Sequence, residues 1–165
     1  MSAVVSYLQN NGWPQITETT IRAGLKNVAW PGRFEIVGKE PLFIIDGGHN
    51  PQCIEALVKN IEDYLADRKV IALTGVLADK DYGEMFRPVM GLVEQFVCIT
   101  PLSPRKLEAA ELASHWQAAG AQAVACETIE AGAKKAIELA GKDGVILSFG
   151  SLYTIGDLKN ALDRI

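Results

Sequence analysis

Apolar positions along this chain fall into short runs of two kinds, and the two kinds alternate. Residues 70–74 (Val-Ile-Ala-Leu-Thr) and 145–149 (Val-Ile-Leu-Ser-Phe) are apolar almost throughout, as in strands covered on both faces. Between such runs, apolar residues recur every three or four positions. Ile54, Leu57, Val58, Ile61 and Leu65 share one helical face, and Asn50-Pro51 opens that helix with a capping asparagine and a proline at the first helical position. Read this way, the pattern predicts strands at 34–37, 42–46, 70–74, 96–100, 123–126 and 145–149. Helices are predicted at 51–65, most of 82–92, 107–119, 128–140 and 154–163. Gly38-Lys39-Glu40-Pro41 joins the first two strands as a hairpin, hence an antiparallel edge. The whole predicts an α/β fold: about six strands, mostly parallel, with helices on both faces.

The first thirty residues do not share this alternation. Val4, Val5 and Leu8 indicate a short helix that Asn11-Gly12-Trp13-Pro14 breaks, and Thr17 caps a second helix reaching Lys26. Trp30-Pro31-Gly32-Arg33 is a turn and marks the one plausible boundary in the chain.

Composition narrows the classes. A chain of 165 residues, 48% hydrophobic and 22% charged, has the size and balance of one globular domain. Its net charge of −4 excludes a broad electrostatic footprint on nucleic acid. Its longest apolar stretch, 70–78, is far short of the roughly 20 residues a bilayer span needs. No basic segment precedes an apolar run at Met1, so a cytoplasmic protein with no membrane partner is expected. Cys53, Cys98 and Cys126 are odd in number and lack CxxC spacing, which predicts buried free thiols in a reducing compartment.

In an open α/β sheet, ligands bind beyond the carboxyl ends of the strands. The loops there carry the candidate chemistry. Asp46-Gly47-Gly48-His49-Asn50-Pro51 places a carboxylate, two glycines, a histidine and a helix N-terminus at one strand end. Asp46 there is suited to accept from ribose hydroxyls, and His49 to donate to a carboxylate or phosphate. The plainer alternative is that Asp46 and Asn50 cap the helix and His49 is solvated. Arg33, in its rigid turn, is either a phosphate contact or an exposed linker arginine. Ala78-Asp79-Lys80-Asp81 is a charged loop whose groups pair with one another or with a ligand, with Asp81 also able to cap the following helix. Ser148-Phe149-Gly150-Ser151 offers a hydroxyl for a substrate carboxylate, or a helix cap, and Arg105 joins the same rim. His115, mid-helix, reads as a surface or packing residue. No P-loop, G-x-G-x-x-G, H-E-x-x-H or G-x-S-x-G sequence occurs, so no complete catalytic set is present.

Four of these motifs, in order, resemble the C-terminal domain of folylpolyglutamate synthase/dihydrofolate synthase, a member of the Mur ligase superfamily. They are Trp30-Pro-Gly-Arg33-Phe-Glu, Asp46-Gly-Gly-His-Asn-Pro51, Asp79-Lys-Asp81 and Gly150-Ser-Leu-Tyr153, and the resemblance runs from about residue 17 to the end. The family's familiar loop has alanine where Gly48 stands. Other Mur-type ligases share the domain but carry different residues around the histidine-asparagine loop, and a free-standing nucleotide or amino-acid binding module is a further alternative. The resemblance implies a Rossmann-like three-layer domain over 30–165, with 1–29 the end of a missing N-terminal ATPase domain and its linker. It implies an ATP-dependent ligase that joins glutamate to a folate or dihydropteroate substrate through an acyl phosphate. Arg33, Asp46 and His49 match nucleotide contacts, and His49 and Ser151 match glutamate contacts. Asn50, Lys80, Asp81 and Arg105 are possible rim contacts. The P-loop and the Mg2+ ligands belong to the missing domain, so the chain is expected to hold no metal, to act as part of a monomeric enzyme, and to be inactive alone. The short length then reads as a severed boundary.

Overall fold

Strands that are apolar at every position need helices on both sides, and the computed structural model, which describes residues 2–165, supplies them. The chain divides into two compact units, the first ending at Pro31 and the second running Gly32–Ile165. The first unit contains α1 (Ser2–Asn10) and α2 (Glu18–Lys26). Thr17 starts α2 through a reciprocal cap: its hydroxyl accepts from the Thr20 N–H, and its own N–H donates to the Thr20 hydroxyl.

The second unit is a six-stranded sheet of order β1-β2-β6-β3-β4-β5. Its strands are β1 (Glu35–Lys39), β2 (Leu42–Ile45), β3 (Val70–Thr74), β4 (Gln95–Cys98), β5 (Ala123–Ala125) and β6 (Val145–Phe149). Only β1 and β2 pair antiparallel; β2, β6, β3, β4 and β5 run parallel. The sheet is therefore the mostly parallel one with an antiparallel edge that the pattern predicts. Three helices, α3 (Pro51–Leu65), α4 (Tyr82–Phe86) and α5 (Ala109–Ala118), cover one face. Ile54, Leu57, Phe86 and Trp116 pack there on Ile44, Ala72, Phe96 and Leu147. The Trp116 ring stacks on Phe96 with centroids 4.9 Å apart. The other face carries α6 (Ile129–Ala140) and α7 (Ile155–Leu162) over Phe43, Ile45, Ile71, Leu73 and Ile146. Small residues on the buried side of α6, Gly132, Ala133 and Ala136, let its backbone lie close to the sheet. Among the described residues no helix is long and apolar enough to cross a membrane.

Five boundaries differ from the pattern. Phe34 has φ 45°, a left-handed backbone that cannot extend a strand, so β1 begins at Glu35. A register shift between Ile36 and Gly38 then carries β1 on to Lys39, leaving Glu40-Pro41 as the turn. The helix expected over 82–92 stops at Phe86 and continues as a 3₁₀ turn, Arg87–Val89, because Pro88 lacks an N–H and crowds the preceding turn. The helix expected from 107 begins at Ala109, whose N–H donates to the Thr100 hydroxyl at 2.9 Å. The closing helix is preceded by a separate 3₁₀ turn, Leu152–Thr154, and starts at Ile155.

The thiols are free. Of the three, only Cys98 is buried, and burial pushes its pKa up to about 12. Cys53 and Cys126 are half-buried. His115 packs, its ring edge-on to Tyr82 at 5.1 Å and against Trp116.

Candidate functional site

Strand β6 lies between β2 and β3, so the chain diverges at their carboxyl ends. The connection after β3 leads to α4 on one face, and the connection after β6 leads to α7 on the other. Such a divergence opens a crevice, the place where ligands bind in open α/β sheets. Three loops border it, 46–50 after β2, 75–81 after β3 and 150–151 after β6, and the loop after β4 reaches it through Arg105.

The first loop is ordered by Asp46. Its amide continues the parallel ladder, donating to Ser148 O at 2.8 Å. One carboxylate oxygen accepts the Gly48 N–H at 2.7 Å and the other accepts the Phe34 N–H at 2.9 Å. The second bond holds the left-handed Phe34 and so fixes the turn that carries Arg33. Gly47 N–H donates to Gly32 O at 2.7 Å and Gly150 N–H donates to Gly48 O at 2.9 Å, tying the turn, the first loop and the third into one unit. A Cβ on Gly47 would run into the tip of Leu152 and lie 2.9 Å from Arg33 Nη1, so both side chains lie directly against the bare glycine. The exposed Arg33 guanidinium thus rests over this loop, with no carboxylate partner among the described residues.

Beneath the turn, Glu35 accepts the Gly32 N–H at 2.7 Å and pairs with Lys159 of α7 at 2.7 Å. The Lys159 ammonium, helped by the Gly32 N–H, holds the Glu35 carboxyl below the ordinary glutamate range. His49 Nδ1 donates to Gly47 O at 2.8 Å, since a carbonyl can only accept, and this leaves Nε2 as the open ring nitrogen. Asn50 caps α3 by accepting the Cys53 N–H at 2.9 Å, and Asp81 caps α4 by accepting the Glu84 N–H at 3.4 Å. Ser151 is buried; its oxygen accepts the Tyr153 N–H at 3.1 Å, which leaves its own proton free to donate.

His49, Lys80, Arg105 and Ser151 line one cavity of about 240 Å³, together with Leu77, Gly150, Leu152 and Tyr153. Four of the residues singled out from sequence therefore meet. Arg33 stands beside them on the Gly47 side, Asp46 lies beneath and orders the loop, and Asn50 and Asp81 serve helix ends outside the cavity. Of its apolar wall, Leu152 and Tyr153 stand in the Gly150-Ser-Leu-Tyr153 motif, whereas Leu77 carried no signal beyond ordinary hydrophobicity. A larger cavity, about 820 Å³, opens between the loops after β4 and β5 and α7. Four of its charged side chains already pair with one another, Arg164 with Glu130 and Lys106 with Glu108, and it lies away from the strand divergence. The smaller cavity is the candidate site. Among the described residues no cluster of three His, Cys, Asp or Glu is placed to hold a metal ion.

The Mur ligase, glutamate ligase domain, family matches residues 32–152 of this chain. A probable bifunctional folylpolyglutamate synthase/dihydropteroate synthase of Halobacterium salinarum is 30% identical over 90% of this chain and 18% of its own length. The dihydrofolate synthase/folylpolyglutamate synthase of Escherichia coli is 26% identical over 90% of this chain and 34% of its own. The crystal structure of a bifunctional folylpolyglutamate synthase/dihydrofolate synthase from Yersinia pestis, complexed with AMPPNP and Mn ion, superposes with a TM-score of 0.79. That similarity has 30% identity and covers 89% of this chain and 35% of that one. The chain thus spans about a third or less of the length of the relatives it matches.

Proposed function

The chain belongs to the Mur ligase, glutamate ligase domain, family, and on that premise we propose that it is the nucleotide- and glutamate-contacting lobe of an ADP-forming ligase that lengthens folates. In the reaction, a folate γ-carboxylate oxygen attacks the γ-phosphorus of ATP, and ADP leaves. The glutamate amine then attacks the acyl carbon, the acyl–phosphate C–O bond breaks, and the amine loses a proton as phosphate departs. The observation that carries the reading is the gathering of His49, Lys80, Arg105 and Ser151 around one cavity at the strand divergence, with Arg33 alongside. Negative charge from ATP, acyl phosphate and glutamate converges in such a cleft, and fixed cations stabilise it there without reorganising.

Arg33 reaches the nucleotide phosphates. Asp46 stands by the nucleotide and acts chiefly by holding the Arg33 turn and the glycine loop in place. His49, through Nε2, and Ser151, through its free proton, take the glutamate. The P-loop and the Mg2+ ligands lie in a further domain of the whole enzyme. The enzyme works as a monomer in the cytoplasm, where Cys53, Cys98 and Cys126 remain thiols.

The test is an ADP-release assay, with folate, glutamate and ATP, on the whole reading frame that carries this chain and on the 165-residue chain alone. The whole protein is expected to form the glutamylated folate and the chain alone none. Arg33→Ala in the whole protein is expected to lower kcat/KM roughly 100-fold with its circular dichroism unchanged, the scale of losing a fixed donor to developing charge. Glutamylation by the chain alone, or wild-type kinetics for Arg33→Ala, would overturn the proposal.

A further inference from the structure

The cavity at the strand divergence has basic walls and no acidic one: His49, Lys80 and Arg105 line it, and no Asp or Glu does. An anionic group is what such walls attract. Arg105 comes to it from the loop after β4, which contains neither strand nor helix. That loop is nevertheless fixed. Ala78 N–H donates to Arg105 O at 2.8 Å, Leu107 N–H donates to Val76 O at 3.0 Å, and Leu77 and Lys106 form an antiparallel bridge. The loops after β3 and β4 are thereby one clamp carrying Leu77, Lys80 and Arg105.

The backbone clamp does not fix the arginine side chain, which is exposed and rich in rotamers. One contact does. Arg105 Nη1 donates to Asp79 Oδ2 at 2.8 Å. Both partners are half exposed, so the pair adds little to stability. Its effect is to select one guanidinium orientation before any ligand arrives. A guanidinium has five N–H donors, and Asp79 is the only side-chain acceptor for this one among the described residues. The other donors stay available at the cavity.

We propose that Asp79 is a positioning residue for an anion subsite: it presets Arg105 so that Arg105 and Lys80 together receive a carboxylate of the amino-acid substrate. The identity of that amino acid as glutamate rests on the function proposed above; the presetting rests on the Asp79–Arg105 geometry. Binding then spends less ordering entropy on the arginine. Coulomb's law alone gives the opposite sign, because Asp79 is a negative charge beside an anion site and removing it should tighten anion binding. Direction of change therefore separates the two roles.

The experiment titrates L-glutamate into the 165-residue chain and follows the Arg105 side-chain Nε–H and the Ser151 amide by NMR, with thermal melts in parallel. Asp79→Asn is expected to weaken glutamate binding roughly three- to tenfold with an unchanged melting temperature, the loss of a preset charge-assisted contact. Asp79→Glu restores most of it. Arg105→Gln loses as much, and the double variant loses no more than Arg105→Gln alone, as coupled residues require. Unchanged or tighter binding by Asp79→Asn overturns the proposal. So does the absence of any Arg105 shift in the unmutated chain up to glutamate on the order of 100 mM, an affinity too weak for a built subsite. If the whole protein fails to glutamylate folate while Asp79-dependent glutamate binding persists, the ligase reading falls and this one stands. If ligation proceeds and Asp79→Asn binds glutamate normally, only this one falls.

Discussion

Asp46→Asn exchanges one carboxylate oxygen for an amide NH2 and leaves the side chain's shape intact. In the native loop both oxygens are used, one by the Gly48 N–H at 2.7 Å and one by the Phe34 N–H at 2.9 Å. Hydrogen bonds to a charged acceptor are worth about 1.5–3 kcal/mol each. Asparagine keeps one acceptor and turns two donors toward the other amide, so one bond is lost and the survivor is weakened. The expected cost is about 2–3 kcal/mol. That is well inside the roughly 5–15 kcal/mol that holds a domain together, so the variant still folds. Phe34 at φ 45° loses its restraint, however, and left-handed backbone at a bulky residue costs roughly 1–3 kcal/mol to maintain. Asparagine is expected to seat its oxygen on Gly48, the bond within its own loop, and to release the Arg33 turn. Urea unfolding followed by circular dichroism should show a midpoint lower by about 1 M, taking a slope of about 2 kcal/mol/M. Amide NMR should show the Phe34 signal moving further than the Gly48 signal. A midpoint within about 0.2 M of the parent, with both amides unmoved, would refute the account of Asp46 as the residue that orders this strand end.

Two further substitutions probe the same corner. Gly150→Ala meets a backbone of φ 112° and sets a Cβ 2.7 Å from Gly75 O, so a melting temperature lower by roughly 5–15 °C is expected, and a change under about 2 °C would contradict the close approach. Glu35→Gln removes the charge from the pair with Lys159. Because the folded-state pKa of Glu35 is depressed, the pair's contribution is fully present above the ordinary glutamate pKa and is lost as pH falls through the lower folded value. Both side chains are about one-third exposed, which limits that contribution to about 1 kcal/mol. The variant should therefore be less stable at neutral pH and converge with the parent in acid; an equal gap at both ends would exclude the linkage.

Much of this architecture is written locally. Alternating all-apolar runs and helical faces determine strand and helix order, because each element's pattern depends only on which of its sides is covered. Asn50-Pro51 and Thr17 are legible as helix starts because a cap acts on amides two or three residues away. The glycines at 47, 48 and 150 mark a tight strand end, and with His49 and Ser151 they were enough to locate the candidate site. Pro88 is an equally local signal that the helical pattern over 82–92 overrode, and α4 ends before it because proline lacks an N–H.

What the chain could not show is whatever depends on partners far apart in sequence. Ala109 is capped by Thr100, a side chain outside its own helix, so the start of α5 had no adjacent signal. Asp46 reads as a ligand group from its place after a strand, yet its oxygens meet the amides of Gly48 and Phe34, the latter twelve residues earlier. Asp79 and Arg105, 26 positions apart, become one pair because β3 and β4 lie side by side. Composition, caps and periodicity are properties of neighbours along the chain, and they determined the fold class and the set of polar loops. Insertion of β6 between β2 and β3 is a property of the folded sheet. Together with the β3–β4 pairing it decided which of those loops meet, and therefore that His49, Lys80, Arg105 and Ser151 share a cavity that Asn50 and Asp81 do not line.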